Sequence, residues 1–212
     1  MAALTTFAAQ PIVNARTKEG SVLGALWSRS SSPVILVFLR RLGCALCRTT
    51  CAEYSDALPQ LTAAGATVVC LSFEALGEGS DSDRSFEAGK YWTGPLYTIS
   101  KDVYSALFGR KGMFNGFFGL ADMSQSKLAA CTDRKIGGNI SGDGFLLGGQ
   151  FIITQGGTVT LDKRQQFFGD DSSVEELLEG VAEAVELHRV AAAAGAAAAG
   201  GGGVQEWGGG KK

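Results

Sequence analysis

The sequence predicts an α/β protein, a central mixed sheet flanked by helices, on three observations. Val34-Ile35-Leu36-Val37-Phe38-Leu39 is an unbroken apolar run, the pattern of a strand buried on both faces. A second such run, Ala66-Thr67-Val68-Val69-Cys70-Leu71-Ser72-Phe73, follows a helix-like stretch from about Cys44 to Ala64. Strand, helix and strand make a βαβ unit, which implies parallel pairing and a right-handed crossover. Finally, Phe145 to Thr154 and Thr158 to Leu161 flank Gly156-Gly157, the arrangement of an antiparallel hairpin.

The chain has 212 residues, enough for one domain with a sizeable core plus tails. A net charge of −2 gives no electrostatic grip on nucleic acid. No apolar run approaches the ~20 residues that span a bilayer, so neither nucleic acid nor a membrane span is expected. The start, Met1-Ala2-Ala3-Leu4-Thr5-Thr6-Phe7, lacks the basic and apolar regions of a secretory signal, and a cytoplasmic location is expected. Five cysteines at irregular spacing are not a disulfide framework. The one histidine, His188, falls near the end of the last predicted helix, so a Cys-His or Ser-His-Asp site is not expected.

In chain order, residues 11 to 24 alternate loosely and suggest a short hairpin with Gly20 in its turn. Ala25-Leu26-Trp27 reads as one helical turn. The helix from Cys44 is expected to stop at Gly65, with a kink or break at Pro59, which removes a helix hydrogen bond. A polar loop (Gly77 to Asp83), a helix (Asp83 to Trp92), a strand (Leu96 to Ile99) and a helix (Lys101 to Phe108) follow. Another helix is expected from about Asn115 to Ala130, then an irregular loop from Gly137 to Gly144. Asp170-Asp171-Ser172-Ser173 reads as a capping cluster, with Ser172 or Ser173 as the cap of a helix running to about Val190. Residues 191–212, mostly Ala and Gly, are expected to be a disordered tail. This order of elements over residues 9–190 is that of a thioredoxin-like domain with an N-terminal hairpin extension.

The candidate chemistry lies where the first buried strand ends. Cys44-Ala45-Leu46-Cys47 opens the predicted helix. A helix N-terminus carries unpaired N–H groups and partial positive charge, and both favour a thiolate, the nucleophilic form. Cys47, three residues on, is placed to resolve a bond formed at Cys44. Gly43 is expected to give the tight turn its backbone freedom. Arg40, Arg41 and Arg48 are expected to add positive potential if they face the sulfur. A redox-sensing or zinc-binding module without turnover is the alternative of another class. Cys44, Cys47 and Cys51 have metal-like spacing, but no fourth ligand is evident, so no metal is expected. Cys51 reads mainly as a core residue, and Cys70 and Cys131 as bystanders. The loop 137–144 has neither a dinucleotide fingerprint nor a P-loop, so no bound cofactor is expected.

Further residues carry a resemblance. Leu39-Arg40-Arg41-Leu42-Gly43-Cys44-Ala45-Leu46-Cys47-Arg48, Phe73-Glu74-Ala75-Leu76-Gly77, Gly94-Pro95-Leu96-Tyr97, Lys101-Asp102-Val103-Tyr104 and Gly138-Asn139-Ile140-Ser141-Gly142-Asp143 resemble the peroxiredoxin-like 2 family of the thioredoxin-like superfamily. The likeness extends over about residues 11 to 188. It implies reduction of a lipid endoperoxide or peroxide, of the prostaglandin H2-to-F type, by the Cys44/Cys47 dithiol. It implies NADPH as electron source, direct or through a reductase such as a thioredoxin system. A general antioxidant or a protein disulfide reductase is the broader reading. Two departures stand out. The Pro-x-x-x-Thr-x-x-Cys pattern of true peroxiredoxins is absent, Val37 and Arg41 standing in its place, and the Gly-Pro between thioredoxin cysteines is replaced by Ala45-Leu46.

Overall fold

The computed structural model describes residues 2–76, 81–110 and 127–200, with residues 81 and 191–200 described as backbone only. The strands are β1 (Pro11–Asn14), β2 (Gly20–Val22), β3 (Val34–Leu39), β4 (Thr67–Ser72), β5 (Leu96–Ile99), β6 (Gly149–Ile153) and β7 (Val159–Arg164). The helices are α1 (Ala25–Ser28), α2 (Ala45–Ala63), α3 (Asp81–Ala88), α4 (Lys101–Phe108), α5 (residues 127–133) and α6 (Val174–Gly200). Among the described residues the strands form one sheet in the order β2-β1-β5-β4-β3-β6-β7. β3, β4 and β5 are parallel, as the βαβ reading requires, and β1, β6 and β7 join antiparallel.

Every residue of β3 is buried, and alternate residues serve opposite faces. Ile35, Val37 and Leu39 pack with Cys51, Tyr54 and Leu61 of α2 and with Leu177, Val181 and Ala184 of α6. Val34, Leu36 and Phe38 pack with Trp27 and with Tyr104, Leu107 and Phe108 of α4. The Phe38 ring lies 5.5, 5.1 and 5.7 Å from those of Tyr104, Phe108 and Phe151. Burying a side chain of this size contributes roughly 1.5–3 kcal/mol, so β3 is a rigid platform for the turn that leaves its C-terminal end.

Several local expectations change. Gly20 opens β2 opposite Val13, and the chain reverses through residues 15–18 instead. There Asn14 Oδ1 accepts the N–H groups of Arg16 and Thr17 at 3.0 Å, a side chain mimicking a backbone turn, and Lys18 takes φ 64°. α2 ends before Gly65 (φ 93°) as expected, yet it continues through Pro59. Pro59 is exposed and Ser55, whose carbonyl loses its helix partner there, is only half-buried, so the loss falls where water can compensate. α3 lies earlier than predicted, β6 starts later and β7 runs further. Residues 77–80 of the expected polar loop and 115–126 of the expected helix lie outside the described residues, and 127–133 are helical. Ser173 is the cap of α6. Its hydroxyl accepts the Glu176 N–H at 3.1 Å and the Glu176 carboxylate accepts the Ser173 N–H at 2.8 Å, a reciprocal capping box. The backbone of α6 continues to Gly200, past the expected end at Val190. Alanine is the strongest helix former, and a lone glycine costs only ~1 kcal/mol. Residues 201–212 lie outside the described residues.

Candidate active site

β3 ends at Leu39, and Arg40 to Gly43 carry the chain to α2. Cys44 is the N-cap of α2 (φ −79°, ψ 124°), and its carbonyl accepts the first helical bond, from Arg48 N–H at 3.0 Å. Glu74, two residues past β4, accepts the Leu42 N–H at 2.7 Å, which fixes the turn to the neighbouring strand. Gly43 is needed for a reason other than turn freedom. Its φ is not positive, but an added Cβ would collide with the side chains of Asn139 and Ser82.

Cys44 and Cys47 are buried, 6% and 5% exposed, and all five cysteines are free thiols. Arg40 Nη2 donates to the Cys44 sulfur at 3.0 Å. The Cys44 thiol is held well below the ordinary range by hydrogen bonding from the Cys47 thiol. Burial opposes that shift, and the Arg40 charge, the Cys47 N–H and the more distant Arg41 add to it. Cys47 moves the other way, raised by its hydrogen bond to Cys44, by burial and by the Cys44 and Asp171 charges. The pair is therefore asymmetric: the surroundings of Cys44 favour the thiolate and those of Cys47 the thiol.

The three arginines divide their work. Arg40 also donates to Gly144 O at 2.6 Å and lies 4.0 Å from the centre of the Phe168 ring. Arg41 donates to Asn139 O at 2.9 Å and to Ser141 O. Arg48 turns away from the sulfurs to Leu42 O (2.7 Å), Gly137 O (2.8 Å) and the Ser85 hydroxyl. Being at the fourth position after Cys44, it leaves the helix along its side and fastens the active-site turn to its surroundings.

The carbonyls so bound belong to the loop 137–144, which the sequence leaves without a role. Asn139 N–H donates to Gly43 O at 2.7 Å, and Asp143 pairs with Lys101 and Arg110 at 2.7 and 2.6 Å. Held in this way, the loop walls a largely apolar cavity of about 680 Å³ beside Cys44, together with Leu46, Leu128, Phe145 and Phe168. The density of Gly, Asn, Ser and Asp between residues 137 and 144 is the only sequence signal for it. Phe168 carries no motif that would mark it, and Glu74 is marked only as part of the Phe73-Glu74-Ala75-Leu76-Gly77 stretch of the family resemblance.

The other candidates sit apart. Cys51 and Cys70 are fully buried in the core between α2 and the sheet. Cys131 lies in the small cluster that includes Cys44 and Cys47, its sulfur 3.0 Å from the Thr49 hydroxyl. Asp170 and Asp171 do not cap α6. Asp170 pairs with Lys163 at 2.6 Å, and Asp171 binds Thr50, Gln150 and Gln165. Among the described residues no group of three or more His, Cys, Asp or Glu side chains is placed to hold a metal ion, and no helix is long and apolar enough to cross a membrane.

A mixed sheet with a dithiol at the N-terminus of the helix after its central strand defines the thioredoxin-like class, in its peroxiredoxin form. Solved structures agree at the level of fold. Peroxiredoxin Q of Xanthomonas campestris matches with TM-score 0.51 at 13% identity over 89% of this chain and 97% of that one. A PrxQ mutant of Xylella fastidiosa matches with TM-score 0.53 at 17% identity, over 89% and 95%. The family model for AhpC/TSA antioxidant enzymes matches residues 54–166, downstream of the cysteine pair. Danio rerio peroxiredoxin-like 2A is 32% identical over 162 residues (76% of this chain, 72% of the relative). The prostamide/prostaglandin F synthases of Danio rerio and Salmo salar are 32% and 34% identical, covering 82% and 68% of this chain and 85% and 70% of theirs. The chain belongs to the peroxiredoxin-like 2 family of AhpC/TSA antioxidant enzymes.

Proposed function

We propose that this protein is a thiol-dependent reductase of apolar peroxides, with Cys44 as attacking and Cys47 as resolving sulfur. The observation that carries the reading is the Cys44 sulfur itself, at a helix N-terminus, 3.0 Å from Arg40, beside a largely apolar cavity. The thiolate attacks one oxygen of R–O–O–R′. An S–O bond forms as the O–O bond breaks, and R′O⁻ leaves and takes a proton from water. Cys44 is then a sulfenate ester, or a sulfenic acid where R is hydrogen. Cys47 attacks that sulfur, and the disulfide forms as RO⁻ leaves with the Cys47 proton. For a cyclic endoperoxide both new hydroxyls stay on one molecule.

The apolar walls suit a lipid peroxide or endoperoxide better than hydrogen peroxide. The name of the synthase relatives favours an endoperoxide of the prostaglandin H2 type. General reduction of protein disulfides is the broader reading, and the insulin arm of the assay below separates it. Two electrons must then return the disulfide to the dithiol. Arg40 and Arg41 already bind main-chain carbonyls, so the cavity offers a dinucleotide no free phosphate cradle. A dithiol reductant of the thioredoxin type fits better, with NADPH as the ultimate source. Five free thiols suit a reducing compartment such as the cytoplasm.

The test is NADPH consumption coupled through thioredoxin and its reductase, with an endoperoxide, a lipid hydroperoxide, hydrogen peroxide and insulin as substrates. The wild type should prefer the first two. Cys44→Ser should be inactive, and Cys47→Ser should reduce about one equivalent of peroxide without sustained NADPH consumption. Full turnover by Cys44→Ser would sink the mechanism.

A further inference from the structure

Asp171 is a carboxylate that the mechanism above does not use, and the fold invests heavily in holding it. Its Oδ1 accepts Gln150 Nε2 and Gln165 Nε2, and its Oδ2 accepts the Thr50 hydroxyl, all at 2.7 Å. The two glutamines are themselves 1% and 4% exposed. Their other amide atoms are also engaged, Gln150 Oε1 by Ser172 N–H at 3.1 Å and Gln165 Oε1 by Gly148 N–H at 2.8 Å. Three side-chain donors hold the carboxylate, and among the described residues no Lys or Arg is hydrogen-bonded to it.

Its position sets it against the stretch of α2 that carries Cys47. Thr50, which it binds, is the i+3 neighbour of Cys47 on α2, so the two side chains share a helix face. Gly169, two residues before Asp171, packs against the Leu46 side chain. Leu46 and Thr50 thus bracket Cys47 between the points where the 169–171 segment meets the helix. Gln150 pairs with Val37 in the strand beneath. The charged and titratable groups acting on Cys47 are Cys44, Arg40 and Asp171, with Tyr104 across the sheet. Those acting with Asp171 are Arg40, Cys47, Cys51 and Tyr54.

We propose that Asp171 is a positioning residue for the resolving sulfur: its carboxylate, held by Thr50, Gln150 and Gln165 against the turn of α2 that carries Cys47, reinforces the division of labour in which Cys44 attacks and Cys47 resolves. Arg40 serves the opposite end of the pair by contact with Cys44. Without Asp171, Cys47 loses one of the charges that favour its thiol form, while its hydrogen bond to Cys44 and its burial remain. The inference rests on the reading of the pair as attacking and resolving sulfurs, but its electrostatic content can be read without any substrate.

The experiment follows alkylation of Cys47 by iodoacetamide against pH in a Cys44→Ser background. Cleavage after Arg41 and Arg48 gives the peptide Leu42 to Arg48, in which Cys47 is then the only cysteine. Asp171→Asn should move the midpoint down by about one pH unit, and Asp171→Glu, which keeps the charge, should leave it near wild type. Asp171→Ser should give the same downward shift, which covers the case where the asparagine variant folds poorly. In a Cys47→Ser background, the Cys44 midpoint should move less than that of Cys47. An unmoved or raised Cys47 midpoint in a folded neutral variant overturns the proposal, as does an equal shift at both sulfurs. If the wild type reduces no peroxide but the Cys47 shift appears, the substrate reading has failed and the role of Asp171 has not.

Discussion

Two pairs of sulfurs meet at α2, and burial does not tell them apart. Cys44 and Cys47 are 6% and 5% exposed, and Cys51 and its neighbour across the layer, Cys70, are 0% exposed. The first pair stands at the open end of the helix, in contact with a guanidinium and beside a cavity. The second lies one turn deeper, among Val37, Val68 and Tyr54, with no cation in contact. The Cys44 thiol is lowered although burial opposes it. The Cys51 thiol is pushed well up, first by burial and then by its hydrogen bond to Cys70. The same residue type along one helix is drawn toward the thiolate or serves as a small apolar filler according to the charges and N–H groups around it.

The sharpest way to break this comparison is to exchange the outcomes. Cys44→Ser should lower peroxide turnover on the order of a thousandfold, while Cys51→Ala and Cys70→Ala should leave it unchanged in a coupled assay. Loss of activity on removing Cys51 with the fold intact would mean that the deeper pair is also chemical. Next in size is Arg40→Met. Removing a contacting cation should raise the Cys44 value by about one unit. Wild-type activity should therefore be flat near neutral pH and fall as pH drops through the lowered Cys44 value. The fall in the variant should begin about one pH unit higher, so that rates on the falling limb are about tenfold lower than wild type and recover once pH exceeds the raised value. Rates measured across that range decide whether Arg40 acts through the thiolate.

Arg48→Met sharpens the contrast from the structural side. It should destabilise by about 2 kcal/mol, since it leaves carbonyls of the turn and loop without their donor. The Cys44 alkylation profile should stay in place, and a shifted profile would return Arg48 to the electrostatics of the sulfur. The smallest effect is expected for Cys51→Ala, about 1 kcal/mol from a small cavity. In a chain of this size that is a melting-temperature decrease of about 2–4 °C. The Cys51→Ala/Cys70→Ala double variant should cost less than the two singles together, because the two thiols share a contact.

Much of this was legible in the sequence because it rests on local pattern. β3 reads as a buried strand from six consecutive apolar residues, and the place of Cys44 follows from where that run stops and helix begins. The start of α6 is announced by Ser172-Ser173 followed by Glu175-Glu176, although spacing alone leaves open which serine is the cap. What stayed hidden depends on long side chains or on contacts between distant segments. Nothing in the sequence says whether Arg40, Arg41 or Arg48 faces the sulfur, since each has four torsions and could reach either way. Asp171 reads as part of a capping cluster because its true partners, Thr50, Gln150 and Gln165, lie on three different segments. The wall formed by residues 137–144 was equally silent, because its anchors are main-chain carbonyls.

Those carbonyl anchors bear on how the family can diversify. Arg40, Arg41 and Arg48 grip the main chain of residues 137–144, which every amino acid supplies. Ile140, 95% exposed at the rim, can therefore be replaced by a polar, aromatic or charged residue without loosening the loop or disturbing the sulfur. Selection can reshape what enters the cavity while the thiolate stays as it is, so substrate range and reactivity become separately inheritable traits of one small fold.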